Sequence, residues 1–171
     1  MNGGMAMNYK YTYASPLGPM VMLGTLTYLT DLFFVDETYA PAYSDDRYIE
    51  KLTGPFEVTV MWLDQYFKGE QPLVYPPMAL EGTAFRKQVW SILQTIPYGK
   101  TTTYGDIAER IAHHEGKGHM SAQAVGGAVG HNPISIIIPC HRVIGKNGNL
   151  TGYAGGMDRK EYLLNLERQH I

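Results

Sequence analysis

The chain contains one cysteine, Cys140, and a histidine follows it directly in the run Pro139-Cys140-His141-Arg142-Val143. A thiol beside an imidazole is the pair needed to form a thiolate near neutral pH, and the thiolate is the nucleophile. One cysteine can close neither an internal disulfide nor a cysteine-rich zinc site, so Cys140 is either a small buried hydrophobe or a reactive group. Adjacency alone does not join the two side chains, because neighbours on an extended strand point to opposite faces. The chain must turn at Cys140, for which Pro139 is suited, or a water must bridge thiol and imidazole. A carboxylate should orient the imidazole and stabilise its charged form. Glu161 and Glu167, near the C-terminus, are the candidates, and spacing does not choose between them.

The elements that must hold this pair can be read from periodicity. Tyr9, Tyr11 and Tyr13 alternate, Ser15 to Pro19 is a turn cluster, and Met20–Leu23 and Leu26–Val35 read as further strands. Phe56, Val60, Leu63 and Phe67 form a helical stripe that the sheet would cover. Gln71–Pro77, with three prolines, is an extended connector, which places a domain boundary near residue 80. Residues 1–80 are then a supporting sheet-and-helix domain and 81–171 a second, helical one. The Gly- and Met-bearing Met1–Met7 stretch is expected to be disordered.

In the second domain Thr83 caps a helix with Phe85, Val89, Ile92, Leu93 and Ile96 on one face, stopped by Pro97-Tyr98-Gly99. Thr103-x-x-Asp106 is a capping box before Ile107, Ala108 and Ile111, and Ser121 caps a third helix to about Gly130. Two short helices and a loop suggest helix-turn-helix. Asn147-Gly148, between Arg142–Gly145 and Leu150–Tyr153, reads as a hairpin turn and so as a wing. Asp158-x-x-Glu161 is expected to cap a last helix with Tyr162, Leu163 and Leu166 inward. The fold class is α+β, with a small sheet-and-helix domain followed by a winged helix-turn-helix-like domain.

The net charge of -2 conceals an asymmetry. Residues 1–80 carry four Lys and Arg against nine acids, whereas residues 81–171 carry ten against seven and all six histidines. An anionic partner therefore suits the second domain better than the first. There is no apolar run of membrane-spanning length, no secretory leader pattern and no cofactor motif, which points to a cytoplasmic protein without cofactor. His113, His114 and His119 lie in a polar, Gly-bearing stretch without a nearby cysteine, so no metal site is expected.

Taken together, Pro139-Cys140-His141-Arg142-Val143, the upstream Asn132-Pro133, and the downstream Tyr153-Ala154-Gly155-Gly156 and Lys160-Glu161-Tyr162-Leu163-Leu164 resemble the O6-alkylguanine-DNA alkyltransferases. The resemblance spans Gly82 to Glu167, including Ile96-Pro97-Tyr98-Gly99 and Thr103-Tyr104-Gly105, and continues loosely at Ser15-Pro16-Leu17-Gly18. It implies a ribonuclease H-like first domain and direct-reversal repair in which an alkyl group moves irreversibly from O6 of guanine in DNA to Cys140, with O4-alkylthymine as a second candidate substrate. It implies His141 as base through a water, Glu167 as the acid on the imidazole, Asn132 as a brace and Tyr104 as donor to the departing purine. Val143, Tyr153 and Ala154 would line the lesion, and Ser121, Gln123, Ala124, Gly127 and Arg142 would contact DNA. The partner would be double-stranded DNA, met through the minor groove by a monomer, with no membrane involved.

Each role has a physical basis. The thioether product resists water, so each molecule acts once. The target atom lies inside stacked duplex, so its nucleotide must be flipped out at a cost of about a few kcal/mol, less for a poorly pairing lesion. The small residues of the third helix, Ala122, Ala124, Gly126, Gly127 and Ala128, permit close backbone approach to DNA without reading base edges. Two positions depart from the family. Gln123 stands where many members insert an arginine, which removes charge and guanidinium stacking. Ala154 stands where some have a serine. Arg142 has a second reading, as an ion-pair partner inside the domain.

Three other functions use the same residues differently. A Cys-His-Glu hydrolase would need an oxyanion hole and would turn over. A non-catalytic lesion-binding protein would have no use for Cys140. A winged-helix transcription factor would need long side chains on its recognition helix.

Overall fold

The computed structural model describes residues 7–43, 46–150 and 152–171. The expectation of disorder for the first residues lies outside that range, apart from Met7. Two compact units divide the chain, Met1–Leu80 and Glu81–Ile171.

In the first unit, β1 (Tyr9–Ser15) and β2 (Gly18–Gly24) form an antiparallel hairpin. Its turn is fixed by Ser15, whose Oγ accepts from the Leu17 N–H and donates to the Gly18 carbonyl, and Gly18 takes φ +112°. β3 (Leu29–Phe34) pairs antiparallel with β2, and the two-residue β4 (Ile49–Glu50) pairs parallel with β1, giving the order β3-β2-β1-β4. Val21, Leu23 and Phe33 form a buried cluster covered by Ala40, Tyr43 and Tyr48. Met20 and Met22, on the opposite face by the alternation of a strand, are buried as well, so β2 is a central strand.

α1 (Gly54–Phe67) starts at Thr53, whose side chain accepts from the Phe56 N–H. Its buried face is Phe56, Thr59, Trp62, Leu63 and Tyr66, which corrects the predicted stripe: Val60 and Phe67 are only partly buried. Trp62 stacks on Tyr66 at 5.2 Å between ring centres, and this aromatic pair occupies the buried face in place of Val60 and Phe67. The connector ends against the sheet, where the Leu29 N–H donates to the Pro77 carbonyl and the Ala79 N–H to Leu29.

The second unit opens with α2 (Ala84–Leu93), capped by Thr83. The two-residue β5 (Thr102–Thr103) leads into α3 (Tyr104–His114), where Thr103 Oγ1 accepts from the Asp106 N–H at 3.0 Å. α4 (Ala122–Gly130) is capped by Ser121. The fully buried Trp90 donates from Nε1 to the Ala128 carbonyl at 2.9 Å, locking α4 to α2. α3 and α4 are the expected helix-turn-helix pair.

The wing differs from expectation. Asn147 and Gly148 both take positive φ, 65° and 80°, as an Asn-Gly turn should. The chain before them does not form a hairpin strand, however. Arg142 ends a 3₁₀ turn, β6 (Val143–Ile144) pairs parallel with β5, and Lys146–Gly148 is a second 3₁₀ turn. The backbone of β6 is thus taken by Thr102–Thr103, a long-range pairing that turn chemistry cannot reveal. Thr151 lies outside the described residues.

α5 (Met157–Gln169) also departs from prediction at two points. Gly156, with φ +96°, occupies the N-cap and makes no side-chain bond, so Asp158 sits in the first turn and is not the cap. The buried face is Lys160, Leu163, Leu164 and Glu167, while Tyr162 is exposed and Leu166 only partly buried. Two charged residues point inward because the reactive turn offers them partners.

Candidate active site

Cys140 begins the 3₁₀ turn Cys140–Arg142, so the chain does turn at the nucleophile instead of extending through it. The thiol residue is 5% exposed, and His141 is wholly buried. His141 Nε2 lies 2.5 Å from Glu167 Oε2, which assigns Nε2 to the carboxylate and leaves Nδ1 as the ring nitrogen that can serve the thiol. Between the two carboxylate candidates the geometry selects Glu167; Glu161 is exposed.

Glu167 accepts from four donors. Besides His141 these are Arg142 Nε at 2.7 Å, Arg142 Nη2 at 3.1 Å and the Gly99 N–H at 3.0 Å. Arg142 Nη1 also donates to the Ile96 carbonyl at 2.7 Å, and its guanidinium lies over the Tyr98 ring. Of the two readings of Arg142, the geometry supports the ion pair within the unit over a DNA contact: the residue is 8% exposed and bonded to Glu167 and Ile96. The turn Ile96–Gly99 thereby closes the back of the site.

Electrostatics follow from this packing. Burial alone would raise Glu167, but the hydrogen bonds and charges of His141 and Arg142 outweigh it and hold the carboxyl at about 2. For His141 burial dominates over the attraction of Glu167 and pulls its pKa below the ordinary 6.5. Glu167 and Arg142 already balance each other, so the imidazole is held neutral and able to accept a proton.

Asn132 sits beneath the nucleophile. Its Nδ2 donates to the Ile138 carbonyl at 2.7 Å and its Oδ1 accepts from the Ile134 N–H at 3.0 Å. Tyr104 stands at the start of α3, close to Gly126 of α4, and a Cβ placed on Gly152 would lie 3.3 Å from its hydroxyl. Burial first, then the charge of Cys140, pushes the Tyr104 hydroxyl up, which keeps it protonated and able to donate. Val143 is fully buried, Tyr153 is 9% exposed, and Ala154 is half-buried on the turn after it.

Sequence reasoning missed Lys160. It is fully buried, donates from Nζ to the Val143 carbonyl at 2.6 Å, and lies 5.9 Å from the centre of the Tyr104 ring. Burial pulls its pKa down to about 8, partly offset by the charge of Cys140. A signal was present: Lys160, Leu163, Leu164 and Glu167 follow the helical spacing of one face.

The predicted DNA contacts lie along α4. Ser121 uses its hydroxyl to accept from the N–H groups of Gln123 and Ala124. Gln123, Ala124 and Gly127 are exposed, and nothing stands within 4 Å of the position a Cβ would take on Gly127. A cleft of about 900 Å³ opens here, lined by Tyr104, Asp106 and Glu109 from α3, Gln123 and Gly126 from α4, and Lys146. The groups that touch Cys140 electrostatically and the exposed face of α4 thus meet at Tyr104. Arg142 is the one predicted DNA contact that does not belong to this surface.

The chain belongs to the 6-O-methylguanine DNA methyltransferase family: its DNA-binding-domain model matches residues 84–169, and its ribonuclease-like-domain model matches residues 8–74. Among relatives, the methylated-DNA-protein-cysteine methyltransferase of Mycolicibacterium paratuberculosis is 47% identical over 159 residues, 93% of this chain and 92% of the relative. That of Haemophilus influenzae is 41% identical, covering 95% and 87%. The crystal structure of Mycobacterium tuberculosis OGT in complex with DNA superposes with a TM-score of 0.82 at 43% identity, covering 95% of this chain and 94% of that one. Among the described residues no helix is long and apolar enough to cross a membrane.

Proposed function

We propose that this protein repairs DNA by direct reversal, moving the alkyl group of O6-alkylguanine onto Cys140 in a single irreversible turnover. The observation that carries the reading is the buried chain Glu167–His141 behind a cysteine that opens a 3₁₀ turn. His141 accepts the thiol proton through a water. The thiolate then attacks the alkyl carbon, the carbon–sulfur bond forms as the carbon–O6 bond breaks, and the electron pair stays on the purine. The Tyr104 hydroxyl donates to the departing base, lowering the cost of its negative charge. Glu167 holds the imidazole in one orientation, Asn132 braces the turn from below, and Val143, Tyr153 and Ala154 border the extruded base.

The monomer meets duplex DNA in the cytoplasm, and the exposed small-residue face of α4 enters the minor groove. Ser121, Ala124 and Gly127 allow close backbone approach, and Gln123 fills the place of the flipped nucleotide. Bending and unstacking read little sequence, as a repair protein acting across a genome requires.

The test is intact mass spectrometry after mixing the protein with duplex containing O6-methylguanine, with Cys140→Ser alongside. A gain of about 14 Da, one methylene, at Cys140 and absent in the variant is the expected result. Bound DNA with no mass gain refutes alkyl transfer, and repeated turnover on a thioester without a stable adduct identifies a hydrolase.

A further inference from the structure

We infer that Ile136, a residue outside the reacting groups, positions the nucleophile through its backbone, a role that rests on the alkyl-transfer reading of Cys140. Ile136 is wholly buried and takes φ +70°, a region that β-branched residues almost never occupy. The Ile137 N–H donates to the Ser135 carbonyl at 2.8 Å across it, so Ile136 is the centre of a γ-turn of positive φ, the rare and strained kind. A strain of this sort persists only where the surroundings over-determine it.

The surroundings lead straight to Cys140. Because the chain reverses at Ile136, the Ile138 N–H returns to the Ile134 carbonyl at 3.1 Å. That closure aims the Ile138 carbonyl at two donors, Asn132 Nδ2 at 2.7 Å and the Cys140 N–H at 2.8 Å. The second bond closes another γ-turn, of ordinary sign, at Pro139 with φ −81° and ψ 66°. One carbonyl therefore joins the Asn132 brace to the backbone of the nucleophile, and the φ of Ile136 sets where that carbonyl points. The buried side chain anchors the residue in the core and holds the backbone in the strained state.

A packing role and a backbone role give opposite orders when the side chain is trimmed. Packing predicts activity falling steadily through Ile136→Val, Ile136→Ala and Ile136→Gly. A backbone role predicts that glycine, the one residue that takes positive φ without cost, outperforms alanine. The experiment measures, for the full-length protein and the three variants, the single-turnover rate of methyl transfer from O6-methylguanine duplex, duplex affinity, and the urea unfolding midpoint. Expected are near wild-type rates for I136V, a loss of about 10- to 100-fold for I136A at unchanged duplex affinity, and partial recovery in I136G. I136G should also unfold at higher urea than I136A. Rates and midpoints that both fall in the order Val, Ala, Gly overturn the proposal. If the wild type binds duplex but gains no methyl group, the functional reading fails by itself. The rate of Cys140 carbamidomethylation by iodoacetamide then supplies the same comparison, with the same ordering deciding for or against Ile136.

Discussion

Arg142 grips Glu167 side-on, Nε on Oε1 at 2.7 Å and Nη2 on Oε2 at 3.1 Å, so the carboxylate that orients His141 is neutralised before the imidazole takes part in any reaction. A lone buried carboxylate would instead pull a proton onto His141 and remove its capacity to act as a base. The fork also makes the site expensive to break from either side.

Glu167 has a folded pKa of about 2 against an ordinary value of 4.5. A depressed carboxyl stabilises the fold above its unfolded value and loses that contribution as pH falls from 4.5 toward 2. The contribution is about 3 kcal/mol. Urea unfolding across that range should show the loss in wild type and a flatter profile in Glu167→Gln. At neutral pH the variant should be less stable by about 3–5 kcal/mol, because Arg142 is left buried and uncompensated. Equal slopes in the two proteins would sink the assignment.

Burial pulls His141 below 6.5, so the unfolded chain takes up a proton before the folded one does. Stability through this group is complete above 6.5 and declines as pH falls beneath it. The neutral base persists over the same range. Single-turnover transfer should hold its rate from pH 7.5 to about 6.5. His141→Gln should lower the plateau by about 100-fold or more. A wild-type rate that halves already at the ordinary histidine value would contradict a desolvated imidazole.

Lys160 has its pKa pulled from 10.5 to about 8. Between those values the unfolded chain keeps a proton that the folded protein has released, so stability should rise with pH from 8 to 10.5. Lys160→Met should abolish that rise and be no less stable at pH 7, since a buried charge is gone. Its transfer rate should nonetheless drop about tenfold, because the Val143 carbonyl loses its donor and the Tyr104 ring its cation. Rate and stability falling together would reduce Lys160 to a packing element.

Gly152 takes φ +73°, and a Cβ there would lie 3.3 Å from the Tyr104 hydroxyl. Gly152→Ala adds backbone strain of about 1 kcal/mol and presses on the Tyr104 hydroxyl at once. We expect a slower transfer with duplex affinity within about twofold of wild type. Parallel loss of binding would place the effect on the DNA surface instead.

Gln123 shares its cleft with Asp106 and Glu109. Gln123→Arg restores stacking and charge and should accelerate repair. The gain should be larger when Asp106→Asn and Glu109→Gln are combined with it, since both carboxylates compete for the new guanidinium. A rate for Gln123→Arg at or below wild type, with or without the neutral pair, would show that the side chain at position 123 does not limit the rate.

The first three strands, the helices capped by Thr83, Thr103 and Ser121, and a turn at Cys140 as one of two alternatives were legible because each rests on local chemistry: alternation, Thr and Ser before helical runs, a proline before the thiol. The reactive pair was legible for the same reason. What the sequence hid was tertiary. Helical spacing places Lys160 on one face with Glu167, and Arg142 had an ion-pair reading inside the domain, but a rule that sends charge to solvent chose Tyr162 and Leu166 for the buried face of α5. Trp62 and Tyr66 displaced Val60 and Phe67 in α1 by stacking, which helical spacing does not encode. Asn147-Gly148 adopted its expected backbone, yet the neighbouring strand paired with residues some forty positions earlier in the chain.

That pairing acts as a ruler. Thr102 opposes Val143 and Thr103 opposes Ile144, so the residue just before Tyr104 and the residues that follow the Cys140–Arg142 turn are held in register by backbone pairing. A slip of one position would shift one strand along the other by about 3.3 Å, more than the length of a hydrogen bond. Surface substitutions can therefore accumulate around Cys140 and Tyr104 without altering their separation. An insertion or deletion in either short strand would move Tyr104 relative to Cys140.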